Sequence, residues 1–159
     1  MKQVEEYLKL HGIEFIKHIH PAVYTCEEAE KYCADIPGIS SKNLLLQDEK
    51  KRRFILLIIP DYKRADLKSL ALRFGVKKLS FASPQTLLRL LSLSPGSVSP
   101  FGLINDTDKQ VELMIDRDVW ASPIVTFHPN ENTATLELSR EMFEKYLNSL
   151  GVKAGVIEL

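Results

Sequence analysis

Three short stretches hold residue types whose spacing could do chemistry. The first is Gly96-Ser97-Val98-Ser99-Pro100-Phe101-Gly102-Leu103-Ile104-Asn105-Asp106. Its small residues keep the backbone open, and Gly96 lets another molecule approach closely. Pro100 stiffens the far end and contributes no amide proton. Such a loop can turn its remaining N–H groups toward a carbonyl oxygen, as an oxyanion site does; an ordinary Ser/Pro connection has the same composition. The second stretch is Lys42-Asn43, which opens the apolar Leu44-Leu45-Leu46. A lysine there either snorkels at a rim or holds an anion. The third is His128, where an apolar strand meets a turn containing Pro129.

Other reactive side chains carry weaker signals. Cys26 and Cys33 are the only cysteines, seven apart on one predicted helix. That places them two turns apart on roughly one face, too far for a disulfide. Reduced thiols packing as small apolar residues are favoured over a nucleophile. His11, His18 and His20 lie near the N-terminus. His18 and His20 share a face if their strand continues, but two histidines without a third ligand are a weak metal signal.

The chain has 159 residues, 45% of them hydrophobic, with 21 basic residues balancing 21 acidic ones. That fits one domain with a core of its own and excludes disorder. No apolar run approaches the ~20 residues of a membrane span. The opening MKQVEEYLKLHG lacks the apolar run of a signal peptide, so a cytoplasmic location is expected. Neutrality argues at first against nucleic acid, whose binding rests on phosphate neutralisation. The balance is nevertheless segregated: Lys42–Arg89 holds 12 Lys or Arg against 4 Asp or Glu, a local +8, and the remainder carries −8. A basic centre of this kind can present one cationic face, although solvated charges clustered only in sequence look the same.

The elements that must position these residues can be read from periodicity. Val4, Tyr7, Leu8 and Leu10 repeat at helical spacing, with Gly12 as the stop. Ile13–Ile19 alternates as a strand, with Ile13, Phe15 and Ile19 read as inward. Thr25 and Glu28 form a capping box opening a helix from about Cys26 to Ala34, which Ile36-Pro37-Gly38 ends. Lys42–Leu46 and Phe54–Ile59 form a hairpin, and the non-alternating Phe54–Ile59 predicts a central strand covered on both faces. Helices follow at Asp66–Phe74, with Gly75 as cap, and from Ser83-Pro84 to Leu91. The last third reads as strands at Leu103–Ile104, Val111–Ile115, Ile124–Phe127 and Ala134–Leu138. Ser139 then caps a helix with the stripe Met142, Phe143, Tyr146, Leu147 and Leu150. The expected fold is a single α+β domain, residues 1–159, with a mixed, largely antiparallel, barrel-like sheet packed by helices.

In this order the pieces resemble the YbaK/ProX family of aminoacyl-tRNA deacylases, which is similar to the editing insertion of bacterial prolyl-tRNA synthetase. The resemblance runs from His20-Pro21-Ala22-Val23-Tyr24-Thr25 to the final helix. Its carriers are Lys42-Asn43-Leu44-Leu45-Leu46, the Gly96-x-x-x-Pro100 loop and His128. The stretches KNLLLQDEKKRRFILLI and GSVSPFGLIND look most like the alanyl-tRNA(Pro) deacylases. The resemblance implies hydrolysis of the ester joining a mischarged amino acid to tRNA, with release of alanine from Ala-tRNA(Pro). The rivals are a deacylase for Cys- or Ser-tRNA and a non-catalytic module of the same fold that binds tRNA or the synthetase.

By the same resemblance, Gly96, Ser97, Val98, Ser99 and Pro100 position the ester carbonyl and supply amides to the oxyanion. Lys42 holds the terminal nucleotide, Asn43 supports that geometry, and His128 positions the substrate or transfers a proton. Cys26 and Glu30 are candidates for the amino-acid pocket wall. Lys50, Lys51, Arg52, Arg53, Lys77 and Lys78 are candidates for acceptor-stem phosphates. The expected partner is the tRNA(Pro) acceptor end, with prolyl-tRNA synthetase a further candidate. No metal, cofactor or membrane is expected.

Overall fold

A computed structural model describes residues 2–21, 36–130 and 133–159. The capping box at Thr25, the helix Cys26–Ala34, and Cys26, Glu30 and Cys33 with it, lie outside those residues. Helix α1, Lys2–Leu10, buries Val4 and Leu8 completely. It ends at Gly12, whose φ of 69° is left-handed. Strand β1 spans Ile16–Ile19, three residues shorter than the alternation suggested. Ile13 is buried and Phe15 half-buried, but Ile19 is 80% exposed and His20 is buried instead. The inward face therefore changes parity between Phe15 and His18, because residues 13–15 precede the strand and do not share its pleat.

The hairpin forms from β2, Ser41–Asp48, and β3, Phe54–Pro60, in antiparallel register with Asn43 opposite Ile58. Asp48 Oδ1 closes the turn by accepting the amides of Arg52 and Arg53 at 2.9 and 3.1 Å. Every residue of β3 is buried. Its Ile55, Leu57 and Ile59 face helix α2, Leu67–Phe74, in one apolar cluster, and Leu56 and Ile58 face the main core. Asp66 caps α2 by accepting the amides of Lys68 and Ser69, and Gly75 takes the left-handed conformation after it.

Strand β4, Leu79–Phe81, then lies against β2. Helix α3, Pro84–Leu91, starts on the Ser83 cap and closes at Ser92 with φ 56°. Residues Pro100–Asn105, which hold the Leu103–Ile104 pair read as a strand, instead form a 3-10 helix. The Ser99 hydroxyl accepts the Phe101 amide and Pro100 fixes φ at the first position, so the chain turns where two apolar residues alone look extended.

Strand β5, Val111–Asp116, pairs in parallel with β3, and the short helix α4, Arg117–Trp120, follows it. Strands β6, Ile124–Phe127, and β7, Ala134–Ser139, are antiparallel partners. Ser139 caps α5, Arg140–Leu150, whose Phe143, Tyr146 and Leu147 are buried. Strand β8, Gly155–Ile157, ends the chain's secondary structure beside β5 in parallel.

Two sheets result, of order β1-β7-β6 and β4-β2-β3-β5-β8. Pairing is mostly antiparallel, with parallel contacts at β3–β5 and β5–β8. Among the described residues the sheets do not close into a barrel; a parallel bridge between Ile39 and Val125 brings the chain entering β2 alongside β6. Phe101, Phe127, Phe143 and Tyr146 meet in the main core with ring centroids 5.2–6.4 Å apart. Contacts of this kind add about 0.5–1.5 kcal/mol per pair beyond their area burial. No helix among the described residues is long and apolar enough to cross a membrane.

Candidate functional site

The bridge from Ile39 to Val125 sets the start of β2 against β6, and a cavity of about 90 Å³ lies there. Ser40, Ser41 and Asn43 supply one wall, and Thr126, His128 and Thr135 supply another. Ser41 and Asn43 are two apart on β2 and so project to the same face. The Oδ1 atom of Asn43 is buried and has no hydrogen-bond partner among the described residues. Leaving such an acceptor unmet costs about 1–3 kcal/mol. Its position on a cavity wall makes it a candidate contact for a ligand.

His128 stands at the end of β6. Its Nδ1 lies 2.9 Å from the carbonyl oxygen of Ala134. A carbonyl can only accept, so Nδ1 carries the proton and Nε2 keeps a lone pair. Burial pushes the His128 pKa below its usual value, and the nearby His20 ring acts in the same direction; the Ala134 hydrogen bond opposes them. His128 is therefore a neutral acceptor at pH 7. The His20 ring lies 6.0 Å away, edge-on. His20 Nδ1 donates to the Pro21 carbonyl at 2.8 Å, so its Nε2 accepts from the Thr135 hydroxyl at 2.9 Å. Thr135, its proton so engaged, presents only acceptor capacity to anything else.

The Gly96–Pro100 loop is anchored at several points. Gly96 adopts φ 89°, a conformation a side chain would strain. The Ser99 hydroxyl donates to Asn130 Oδ1 at 3.3 Å, two residues beyond His128. The buried Tyr146 hydroxyl donates to the Pro100 carbonyl at 2.8 Å, and the Phe101 ring packs edge-on against Phe127. The Ser97 amide is taken by the Ser94 carbonyl at 3.1 Å. The amides of Gly96, Val98 and Ser99 have no acceptor among the described residues. Gly96 is exposed and Val98 half-buried, so their amides are open to an incoming oxygen, whereas Ser99 is fully buried.

The fold thus puts Asn43 and His128 on one cavity and ties the loop to the turn that follows His128. Lys42 does not line the cavity. It pairs with Ile59 in register, and alternation sends its side chain to the opposite face of β2 from Asn43. It is half-buried, with no ionic partner among the described residues. His18, which shares its face with His20, pairs instead with Glu137 at 2.9 Å.

The basic centre is also divided. Lys63 is held by Asp116 and Asp118, both at 3.1 Å. Arg53 forks onto Glu112 at 2.6 and 3.0 Å and donates to the Phe74 carbonyl; the Glu112 hydrogen bond holds its pKa above the usual value. Lys50, Lys51 and Arg52 lie in the β2–β3 turn. Lys77 and Lys78 lie beside it, because Leu79 pairs with Asp48 and the Lys78 amide donates to Glu49 at 3.3 Å. These five gather at the end of β2 away from the cavity, about 17 Å along the strand from Asn43 at ~3.3 Å per residue.

Thr135 is a residue of the site that sequence reasoning missed, and His20 was weighed there for a metal pair rather than for this role. His20 stood out in sequence as a neighbour of His18 and as the first residue of a motif, and Thr135 sits in a strand whose pattern reports burial but not what it faces.

Residues 20–146 match the model of the aminoacyl-tRNA editing domain. The chain is 41% identical over 140 residues to the prolyl-tRNA editing protein ProX of Acetoanaerobium sticklandii, covering 88% of this chain and 85% of that protein. It is 34% identical to prolyl-tRNA synthetase associated domain-containing protein 1 of Danio rerio, covering 87% and 76%. Its fold is similar to the crystal structure of a candidate trans-editing enzyme for prolyl tRNA synthetase, with a TM-score of 0.73 at 20% identity, covering 99% and 96%. With a match across most of its length that includes the cavity and the loop, the chain belongs to the aminoacyl-tRNA editing domain family and is an editing deacylase.

Proposed function

We propose that this protein is a single trans-editing domain that acts in the cytoplasm and hydrolyses Ala-tRNA(Pro), the mischarged product of prolyl-tRNA synthetase. The observation that carries the reading is the small cavity between β2 and β6, whose His128 turn is tied by Ser99 to a loop with uncommitted amides. A synthetase pocket built for proline cannot exclude alanine by size, because each missing methylene is worth only about 1–3 kcal/mol. A second, hydrolytic site uses size in the other direction, admitting a methyl side chain and turning away a pyrrolidine ring.

The reaction needs few parts. A water oxygen attacks the ester carbonyl carbon, and the carbonyl oxygen takes up negative charge. The amides of Gly96 and Val98 are the donors available for that charge, and such donors are worth about 2.7–4 kcal/mol each in comparable sites. The carbon–oxygen bond to the terminal ribose then breaks. The proton lost by water passes to the ribose oxygen, leaving free alanine and deacylated tRNA. Asn43 and His128 orient the aminoacyl group. Lys42, between the cavity residues Ser41 and Asn43 but on the other face of the strand, holds a phosphate of the terminal nucleotides. The five cations at the far end of β2 meet the acceptor stem.

The test is deacylation of Ala-, Cys- and Ser-tRNA(Pro) side by side, with Pro-tRNA(Pro) as the product to be spared. Preference for cysteine or serine would reassign the substrate. Tight tRNA binding with no hydrolysis of any of them would make the protein a binding module.

A further inference from the structure

We propose that Tyr62 is a platform on which an unpaired base of the tRNA 3′ end stacks, beside the phosphate held by Lys42. The platform rests on the hydrolase reading above and adds a base contact to the phosphate contact assigned there. Tyr62 lies just past β3 and is 67% exposed. An exposed tyrosine ordinarily swings freely, but the hydroxyl of this one donates to Asp118 Oδ2 at 2.8 Å, which fixes the far end of the ring. The same hydrogen bond raises the Tyr62 pKa, so the hydroxyl keeps the proton it donates.

The fold holds this ring at the end of the sheet that carries Lys42. Lys42 pairs with Ile59, whose side chain faces α2. Ile58 pairs with Ile115, so the residues that follow, Ile59 and Asp116, are neighbours as well. Two strand spacings, roughly 10 Å, therefore separate the backbones of Lys42 and Asp116. Lys63, next to Tyr62, reaches Asp116 and Asp118 at 3.1 Å each. On the other side, the Asp61 amide donates to the carbonyl of Ser40, which lines the cavity.

The surroundings of the ring select the ligand. In residues 61–64 and 116–118 three carboxylates balance three cations, which leaves no surplus positive charge for a second phosphate. Among the described residues, no other large apolar side chain is exposed between β3 and α2 or on α4. A protein partner needs such neighbours to build a dry interface core. One aromatic plane is enough to stack a base. Asp118 acts through Tyr62 and is a positioning residue.

The test is steady-state deacylation of Ala-tRNA(Pro) by the full chain and its Tyr62 variants. Tyr62→Ala raises KM about 5–150-fold, the range for base–aromatic stacking, and leaves kcat in place, because stacking serves ground and transition states alike. Tyr62→Trp restores the wild-type KM. Tyr62→Phe, which keeps the ring without its Asp118 anchor, falls between. Substrates lacking the base at one unpaired 3′ nucleotide at a time identify the contact. At one position the wild type loses a similar factor, and there Tyr62→Ala costs nothing further. The salt dependence of KM is the same in the wild type and Tyr62→Ala, since no phosphate contact is lost. A wild-type KM in Tyr62→Ala, a loss confined to kcat, or an equal further loss on every abasic substrate overturns the platform and leaves the hydrolase reading standing. No hydrolysis of Ala-tRNA(Pro) by the wild type overturns the hydrolase reading instead. The Kd for deacylated tRNA(Pro) then decides the platform by the same comparison of variants, and equal values for the wild type and Tyr62→Ala overturn it.

Discussion

The Ser99 hydroxyl donates to Asn130 Oδ1 at 3.3 Å, across 31 residues of sequence, and joins the glycine–proline loop to the turn that carries His128. The same oxygen accepts the Phe101 amide at 3.1 Å and starts the 3-10 helix. Ser99→Ala removes both, so stability should fall by about 1 kcal/mol. The kcat should decrease several times more than that loss explains, because the loop amides lose their register with the cavity. Denaturant unfolding and single-turnover deacylation measure the two effects separately.

Tyr146 tests the loop from beneath. Its hydroxyl is the buried donor to the Pro100 carbonyl. Tyr146→Phe keeps the ring packing with Phe101 and Phe143 and leaves that carbonyl without its donor, at a cost of about 1–3 kcal/mol. Melting by circular dichroism should show a lowered Tm with unchanged secondary structure; an unchanged Tm would contradict the assignment.

His128 sets the acid limb of activity and stability. Its folded pKa is lowered from 6.5, chiefly by burial. In the unfolded chain the imidazole takes its proton first as pH falls, so the unfolded state is favoured progressively between about 6.5 and the lower folded value. Above 6.5 both states are neutral and the contribution is constant. Stability should therefore fall on acidification through that window, and kcat/KM at its lower edge, where the folded imidazole takes its proton and Nε2 no longer accepts. His128→Gln should lose this part of the acid destabilisation, as measured by Tm against pH.

The cations of the β2–β3 turn should separate into two kinds. Replacing Lys50, Lys51 and Arg52 by alanine should leave stability within about 0.5 kcal/mol. It should lower tRNA affinity, and reduce the slope of log K against log salt by about 0.7–0.9 for each phosphate that is no longer neutralised. Arg53→Ala should instead lower stability by about 1 kcal/mol, because its half-exposed pair with Glu112 and its bond to Phe74 are structural. Equal salt slopes for the wild type and the triple variant would remove the turn from the tRNA interface.

Much of the frame was legible because local chemistry dictates it. Phe54–Ile59 lacks alternation, and β3 is covered on both faces. Asp66, Ser83 and Ser139 cap helices because each offers an oxygen to amides the helix cannot satisfy. Local pattern was insufficient where long-range packing decides. Ile19 points outward because β1 starts late, and Leu103–Ile104 curls under the Ser99 cap. The cavity is lined by positions 36, 40, 41, 43, 126–128 and 135, so no single window of sequence shows that Asn43, His128 and Thr135 meet. Arg53 resembles its neighbours Arg52 and Lys51 in sequence, and only pairing of β3 with β5 brings Glu112 to it. The opposite orientations of Lys42 and Asn43 follow from the strand pleat, but a motif read as a unit conceals them.

The most direct test of the central claim is the release of free amino acid from Ala-tRNA(Pro) and Pro-tRNA(Pro) incubated separately with the protein. Rapid release of alanine is predicted, with proline retained at its spontaneous rate of loss. Release of proline as fast as alanine, or of neither, would contradict an editing site selective for alanine.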